Sequence, residues 1–340
     1  MILAFHNRFT AKVLAALSFL TICFIILNFH RPSGWKAGPT FATPRVKPAP
    51  PLAQETTTSA ASSSGPTAAV AALPQRLWYK LGPAGLKDDL KPHVDSCVSK
   101  NPGFKVEFPT DKSGDAFVKR HFAALRPDMV ANFLAIRIPI IKADLLRYLI
   151  LYEFGGVWND LDVSCEAPIS EWVPKQYKDQ ANIVVGLEFD VDQWVRQFAS
   201  WTIMAKPKSP HMMMAVQDCL EGLVAKAKER KVGGIQDLRL DMVDDIVDVS
   251  GPRRLTRGIL KSLSSTLNET VGDGEIANVK EPRLLGDVLV LPDYAFADTM
   301  NQQHGDKKTG RKLVVHHYAG SWKNEDGGEK ASKGQGLNNK

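Results

Sequence analysis

The sequence predicts a mixed α/β fold, a single domain over residues 73–322 with an N-terminal transmembrane helix ahead of it. Between 73 and 322, short β-rich runs alternate with helical patterns, punctuated by Pro, Asn, Gly and Asp. Residues 13–29 form one apolar run without a charge. A stretch with almost nothing large to bury separates the two.

In chain order, the run VLAALSFLTICFIILNF at 13–29 lies between Lys12 and His30-Arg31. As a helix it spans roughly 25 Å, workable in a thin early-secretory bilayer. It is longer than the ~7–15-residue core of a cleaved signal, so it reads as a signal anchor behind a cytoplasmic tail, 1–12. Flanking charges are nearly balanced and do not set its orientation. Residues 31–72 hold seven Pro, eleven Ser or Thr and ten Ala, so 30–72 is expected to be a disordered stem. The next 250 or so residues can form one sizeable core. Strands are expected at 76–79, 104–108, 157–163, 182–187, 288–291 and 312–318, and helices at 115–124, 139–153, 210–229 and 253–262. The tail 323–340 is polar and expected to be disordered.

The 340 residues are 44% hydrophobic and 24% charged, which excludes wholesale disorder and collagen-like or coiled-coil repeats. The net charge is +6, but residues 1–72 carry +5 of it and 323–340 the remaining +1, so 73–322 is neutral and no nucleic-acid partner is expected. Four cysteines exclude a disulfide scaffold. Cys97, Cys165 and Cys219 would share the lumen; their odd number allows one bridge, leaves one thiol, and does not say which two pair. One glycosylation sequon, Asn268-Glu269-Thr270, is compatible with a lumenal face.

The chemistry concentrates in residues 139–165, PIIKADLLRYLILYEFGGVWNDLDVSC. Asp144 and Arg147, at i and i+3, share a helix face, and Gly155-Gly156 ends that helix. Residues 157–163 alternate like a strand, which would put Trp158, Asp160 and Asp162 on one side. Two carboxylates held roughly 6–7 Å apart on a strand repel by about 2–3 kcal/mol at an effective dielectric near 20. A divalent ion reverses that sign, and Mg²⁺ or Mn²⁺ suits carboxylate and phosphate oxygens. An Asp-x-Asp pair at a strand end is therefore a candidate clamp for a metal–diphosphate.

This block, with Asp144, Arg147, Gly155-Gly156, Asp160 and Asp162, resembles the sugar-nucleotide-binding region of glycosyltransferase family 32. Leu73-Pro74-Gln75-Arg76-Leu77-Trp78 resembles the family's first strand, with Gln75-Arg76 departing from its usual residues. Val185-Gly186-Leu187-Glu188, Trp201-Thr202-Ile203 with Lys206-Pro207, Gly251-Pro252 with Thr256, and His316-His317-Tyr318-Ala319-Gly320-Ser321-Trp322 are similar to fungal initiation-specific α-1,6-mannosyltransferases. Trp158 stands where a Tyr is commoner.

The resemblance implies a GT-A fold, a Rossmann-like nucleotide-sugar-binding domain. It implies that Asp144, Arg147, Asp160 and Trp78 bind the nucleotide sugar, and that Asp162 and Asp160 hold Mn²⁺ or Mg²⁺ and carry the catalysis. His317 is the expected third metal ligand; adjacent strand residues face opposite ways, so His316 and His317 cannot both point at the site. Glu188 and Asp190, at i and i+2 after an apolar run, are candidate acceptor-binding carboxylates. The implied activity is retaining, metal-dependent mannosyl transfer from GDP-mannose to an N-glycan or other mannan acceptor, with an α-1,6 linkage. The implied setting is the Golgi membrane, single-pass type II with the domain lumenal, with a mannosyltransferase complex as a further partner. A sphingolipid mannosyltransferase and a non-catalytic subunit of such a complex are the alternatives.

Overall fold

A computed structural model describes residues 73–191, 195–298, 310–324 and 327–328. The expected cytoplasmic tail 1–12, anchor 13–29 and stem 30–72, with most of the tail 323–340, lie outside the described residues. Among the described residues no helix is long and apolar enough to cross a membrane.

Period-two alternation of apolar residues builds the sheet. Trp78, Trp158, Ile183, Val185, Ile203, Val288 and Val290 face one core. Their neighbours Leu77, Val157, Val184, Met204, Leu289 and Leu291 face a second. Both faces are therefore covered, as the near-continuous apolar runs require.

The strands are β1 (Arg76–Trp78), β2 (Lys105–Glu107), β3 (Gly156–Asn159), β4 (Val163–Cys165), β5 (Ile183–Val191), β6 (Val195–Phe198), β7 (Thr202–Ala205), β8 (Arg283–Leu285), β9 (Val288–Leu291) and β10 (Val314–His316). Eight form one sheet in the order β2-β1-β3-β7-β5-β9-β8, with β6 paired to β5. β1 is parallel to β2 and β3, β7 runs antiparallel between β3 and β5, and β5 is parallel to β9. β4 and β10 form a separate antiparallel ribbon.

The helices are α1 (Lys91–Lys100), α2 (Asp111–Phe122), α3 (Pro127–Ala135), α4 (Pro139–Phe154), α5 (Pro210–Glu229), α6 (Ile246–Val249), α7 (Pro252–Leu267) and α8 (Asp293–Phe296). Residues of α2 to α7 fill the first core, while α1, α8 and the ribbon contribute to the second. Proline opens α3, α4, α5 and α7 within their first turn, where its missing N–H has no intrahelical partner to lose. Thr110 caps α2 by accepting from Ser113 N–H, which starts that helix earlier than the expected 115.

α4 is apolar nearly all round, and Leu145, Leu146, Tyr148, Leu149, Ile150 and Leu151 are all buried. It stops at Gly155 and Gly156, whose φ values are 63° and 99°. A Cβ on Gly156 would lie 2.7 Å from the Arg76 carbonyl oxygen of the adjacent strand. Two glycines thus let the chain turn from α4 straight into β3 against β1.

The expected strand 157–163 requires correction. Pairing of β3 with β7 ends at Asn159 opposite Thr202, so no strand residue remains to bond residues 160–162. The chain turns there, with Val163 N–H donating to the Asp160 carbonyl at 3.1 Å, and continues as β4.

Candidate active site

Asp160 and Asp162 lie in the β3–β4 turn, beyond the carboxyl end of β3. Its parallel neighbour β1, and β2 beyond it, end on the same edge, where α/β sheets bind ligands. The turn is anchored by Asp160 N–H, which donates to the Trp201 carbonyl at 2.8 Å. Because the backbone turns here, the two carboxylates are not spaced as on a strand. One ligand atom each from Asp160, Asp162 and His316 lie within 4.8 Å of one another.

His316, and not the expected His317, completes this cluster. β10 runs antiparallel to β4 with His316 opposite Val163, which brings His316 Nε2 within 3.3 Å of Asp162 Oδ2. The Trp201 ring stacks on His316 at 4.2 Å. His317 turns to the other side of the strand, its Nε2 2.8 Å from Ser164 Oγ and its ring stacked on His93 at 3.8 Å. Alternation admits one histidine of the pair, and the register of β10 selects His316.

Behind the turn lies a buried ion cluster from α4. Arg147 pairs with Asp144 Oδ1 at 2.9 Å and reaches Asp160 Oδ1 at 3.4 Å. Its guanidinium also donates to the Ser200 carbonyl and lies over the Trp158 ring. Ser250 Oγ donates to Asp144 Oδ2 at 2.7 Å, and Trp158 Nε1 donates to Asp160 Oδ1 at 2.9 Å. Arg147 Nε and His316 Nδ1 are buried without a hydrogen-bond partner among the described residues. Two buried nitrogens of the cluster are thus left for something else to satisfy.

The charges shift accordingly. Burial pushes Asp144 up to about 6, against the pull of Arg147 and Ser250. Burial also raises Asp160, with Arg147 opposing it and Asp162 adding to it. Asp162 is pushed up by burial too, but its bonds to His316 and to Ala319 N–H outweigh this and hold it below the ordinary value. Arg147 is held cationic by Asp160 and Asp144 despite the burial that opposes its charge.

Of the other expected site residues, Glu188 is buried, accepts from Gln197 Nε2 at 2.8 Å, and feels the charge of His316. Burial pushes it up to about 7. Asp190 is not brought to the cluster. It is taken up by Arg196 at 2.6 Å and by Asn278 N–H at 2.7 Å, which tie the β5–β6 hairpin to the segment after α7. Trp78 is corrected as a nucleotide-binding residue: its side chain is buried against Phe154, and its indole N–H donates to the Gly155 carbonyl at 2.9 Å. Sequence reasoning missed His316 as a ligand, along with Ser250, Ser200 and Ala319. Ser250 was signalled only by its place before Gly251-Pro252.

The two carboxylates suit Mn²⁺ or Mg²⁺, the imidazole fits the softer Mn²⁺ better than Mg²⁺, and Arg147 Nε, without a partner among the described residues, could meet an anionic ligand. The residues present therefore fit a divalent ion beside a polyanionic ligand.

Residues 87–179 match the family model described as a glycosyltransferase sugar-binding region containing a DXD motif. The initiation-specific α-1,6-mannosyltransferase of Candida albicans is 27% identical over 252 residues, covering 66% of this chain and 65% of that protein. Its Schizosaccharomyces pombe counterpart is 29% identical over 240 residues, covering 66% and 58%. The mannosyl phosphorylinositol ceramide synthase CSH1 of Saccharomyces cerevisiae is 34% identical over 70 residues, 21% of this chain and 18% of that one. The chain thus spans about two thirds or less of the length of the curated relatives it matches. The resemblance read from the sequence is borne out.

Proposed function

We propose that this chain, which carries a DXD-type glycosyltransferase sugar-binding region, transfers mannose from GDP-mannose to a glycan acceptor. The observation that carries the proposal is the convergence of Asp160, Asp162 and His316 on the buried Asp144–Arg147 pair at the carboxyl end of β3.

Asp160, Asp162 and His316 would hold Mn²⁺ or Mg²⁺. An ion held there would supply charge neutralisation to a diphosphate leaving group. Arg147 adds a fixed positive charge beside it, and Asp144 and Ser250 hold that guanidinium in place. Trp158 fixes the Asp160 carboxylate through its indole N–H, so little reorganisation is needed on binding. Glu188, which accepts from Gln197, would be the carboxyl that binds an acceptor hydroxyl. The similarity to initiation-specific α-1,6-mannosyltransferases supports an α-1,6 linkage, and the resemblance read from the sequence implies an N-linked oligomannose acceptor and retention of configuration. A GT-A fold is consistent with the sheet covered on both faces and the Asp-x-Asp turn at its edge.

The proposed setting is the Golgi lumen, with 13–29 as a type II anchor. The Cys97–Cys165 disulfide supports an oxidising compartment, and Cys219 is the buried free thiol among the described residues. Asn268 is exposed at the end of α7 with φ 54°, accessible to lumenal glycosylation.

The test is to incubate the detergent-solubilised full-length chain with GDP-mannose and oligomannose acceptors, with Mn²⁺ or with a chelator, and to analyse product linkages. Metal-dependent mannose incorporation is expected. Incorporation that a chelator leaves unchanged would refute the metal role, and no incorporation from GDP-mannose would refute the donor. The 70-residue similarity to a ceramide-modifying enzyme gives a second arm with inositol phosphoceramide as acceptor.

A further inference from the structure

Two of the three candidate metal ligands ride on an element that the large sheet does not hold. Asp162 immediately precedes β4, and His316 ends β10. The β4–β10 ribbon pairs with no strand of the eight-stranded sheet, whereas Asp160 follows directly from β3 within it. A two-stranded ribbon alone is marginal in water. The distance from Asp162 and His316 to Asp160 therefore depends on what pins the ribbon to the body.

α1 is packed along β4 and supplies several of those pins, while Leu313 N–H before β10 donates to the Ala295 carbonyl of α8 at 3.0 Å and Val163 and Val314 pack into the second core. Cys97 is bonded to Cys165, the last residue of β4. Beside it, Ser96 Oγ accepts from Cys165 N–H at 2.9 Å. One turn further on, Asn101 Oδ1 accepts from Ile169 N–H at 2.8 Å. One turn back, His93 stacks on His317 of the segment that follows β10. Asn159, the last residue of β3, lays its side-chain amide against both sulfurs, 3.6 Å from Cys97 Sγ and 3.9 Å from Cys165 Sγ. The bridge is thus the covalent member of a clamp that reaches the metal turn from both ends. On the opposite side of the ribbon, Trp201 holds His316 by stacking.

We propose that the Cys97–Cys165 disulfide is a positioning element for the candidate metal centre: by clamping α1 to β4 it sets where Asp162 and His316 stand relative to Asp160, and hence the affinity for a divalent cation. This rests on the metal reading above. Bridge and fold are separable, because the first core, with α2 to α5 and α7, contains neither cysteine. Loss of the clamp therefore loosens the ribbon while the larger part of the domain keeps its packing.

The test uses the full-length chain, the double variant Cys97→Ser/Cys165→Ser, and the variant Ser96→Ala, which keeps the bridge. Mn²⁺ dissociation constants are measured by titration calorimetry, with circular dichroism and thermal midpoints reporting the fold. Outer-shell losses weaken metal affinity by roughly 10–100-fold, and the folded double variant is expected in that range. Ser96→Ala should lose a few-fold, with a thermal midpoint near wild type. A folded double variant that binds Mn²⁺ within twofold of wild type would overturn the proposal. If that variant does not fold, natively folded wild type reduced with dithiothreitol, desalted, and found to bind Mn²⁺ within twofold of the oxidised form overturns it instead. Oxidised wild type that binds no Mn²⁺ removes the metal reading, and this inference falls with it.

Discussion

Replacing Glu188 by Gln should stabilise the domain in a pH-dependent way. Burial pushes the Glu188 carboxyl from an ordinary value of 4.5 up to about 7. In the unfolded chain the group loses its proton near 4.5, while the folded chain keeps it until about 7. Stability is therefore greatest below pH 4.5 and falls as pH rises through 7, at up to ~1.4 kcal/mol per pH unit. Integrated over that interval, the ionised carboxylate costs about 3 kcal/mol above pH 7. Gln has nearly the same shape, keeps an oxygen to accept from Gln197, and carries no charge to bury. Urea denaturation of wild type and Glu188→Gln at pH 4.5, 6 and 8 reads the difference. It should be near zero at pH 4.5 and approach about 3 kcal/mol in favour of the variant at pH 8. A difference that is flat with pH would refute the claim that Glu188 is held protonated by burial.

Asp162→Asn and His316→Ala should each reduce the proposed mannosyl transfer by more than the ~100-fold that the loss of an outer-shell group causes, whereas His317→Ala should reduce it far less; steady-state rates with and without added Mn²⁺ separate them. Trp78→Phe should lower stability by about 1–3 kcal/mol, because the buried Gly155 carbonyl loses its donor, while KM for the donor stays unchanged, as expected of a core residue. Gly156→Ala should destabilise by at least the ~1–3 kcal/mol of a strained backbone, since φ is 99° and the added methyl would meet the Arg76 carbonyl; a thermal midpoint within a degree of wild type would contradict that.

The block from α4 to the Asp-x-Asp turn was legible in the sequence because its signals are local. α4 runs from Pro139 to a Gly-Gly stop, Asp144 and Arg147 share a helix face, and the Asp-x-Asp follows at once. α5 matched its expected range because Pro210 opens it and its apolar stripe is long. α1 was not legible: KPHVDSCVSK buries only Val94 and Cys97, too little for a periodic pattern. The break at Asp160 was missed because it depends on β7 beginning at Thr202, a fact about another segment. The choice between His316 and His317 failed for the same reason, since it rests on the register of β10 against β4. Trp78 misled because its strand carries apolar residues on both faces, and only the packing of Phe154 shows which way it points.

The order in which the cluster's parts leave the ribosome bears on the making of this protein. Asp160, Asp162 and Cys165 emerge early, and Cys97 is already available to bond. β10, with His316, pairs with β4 across most of the remaining domain; Ser164 and His317 lie 153 residues apart. A nascent chain can therefore close its disulfide long before its third candidate ligand exists. The cluster stays incomplete until the last strand docks, so an unfinished or prematurely terminated chain would present two aspartates without the histidine that joins them.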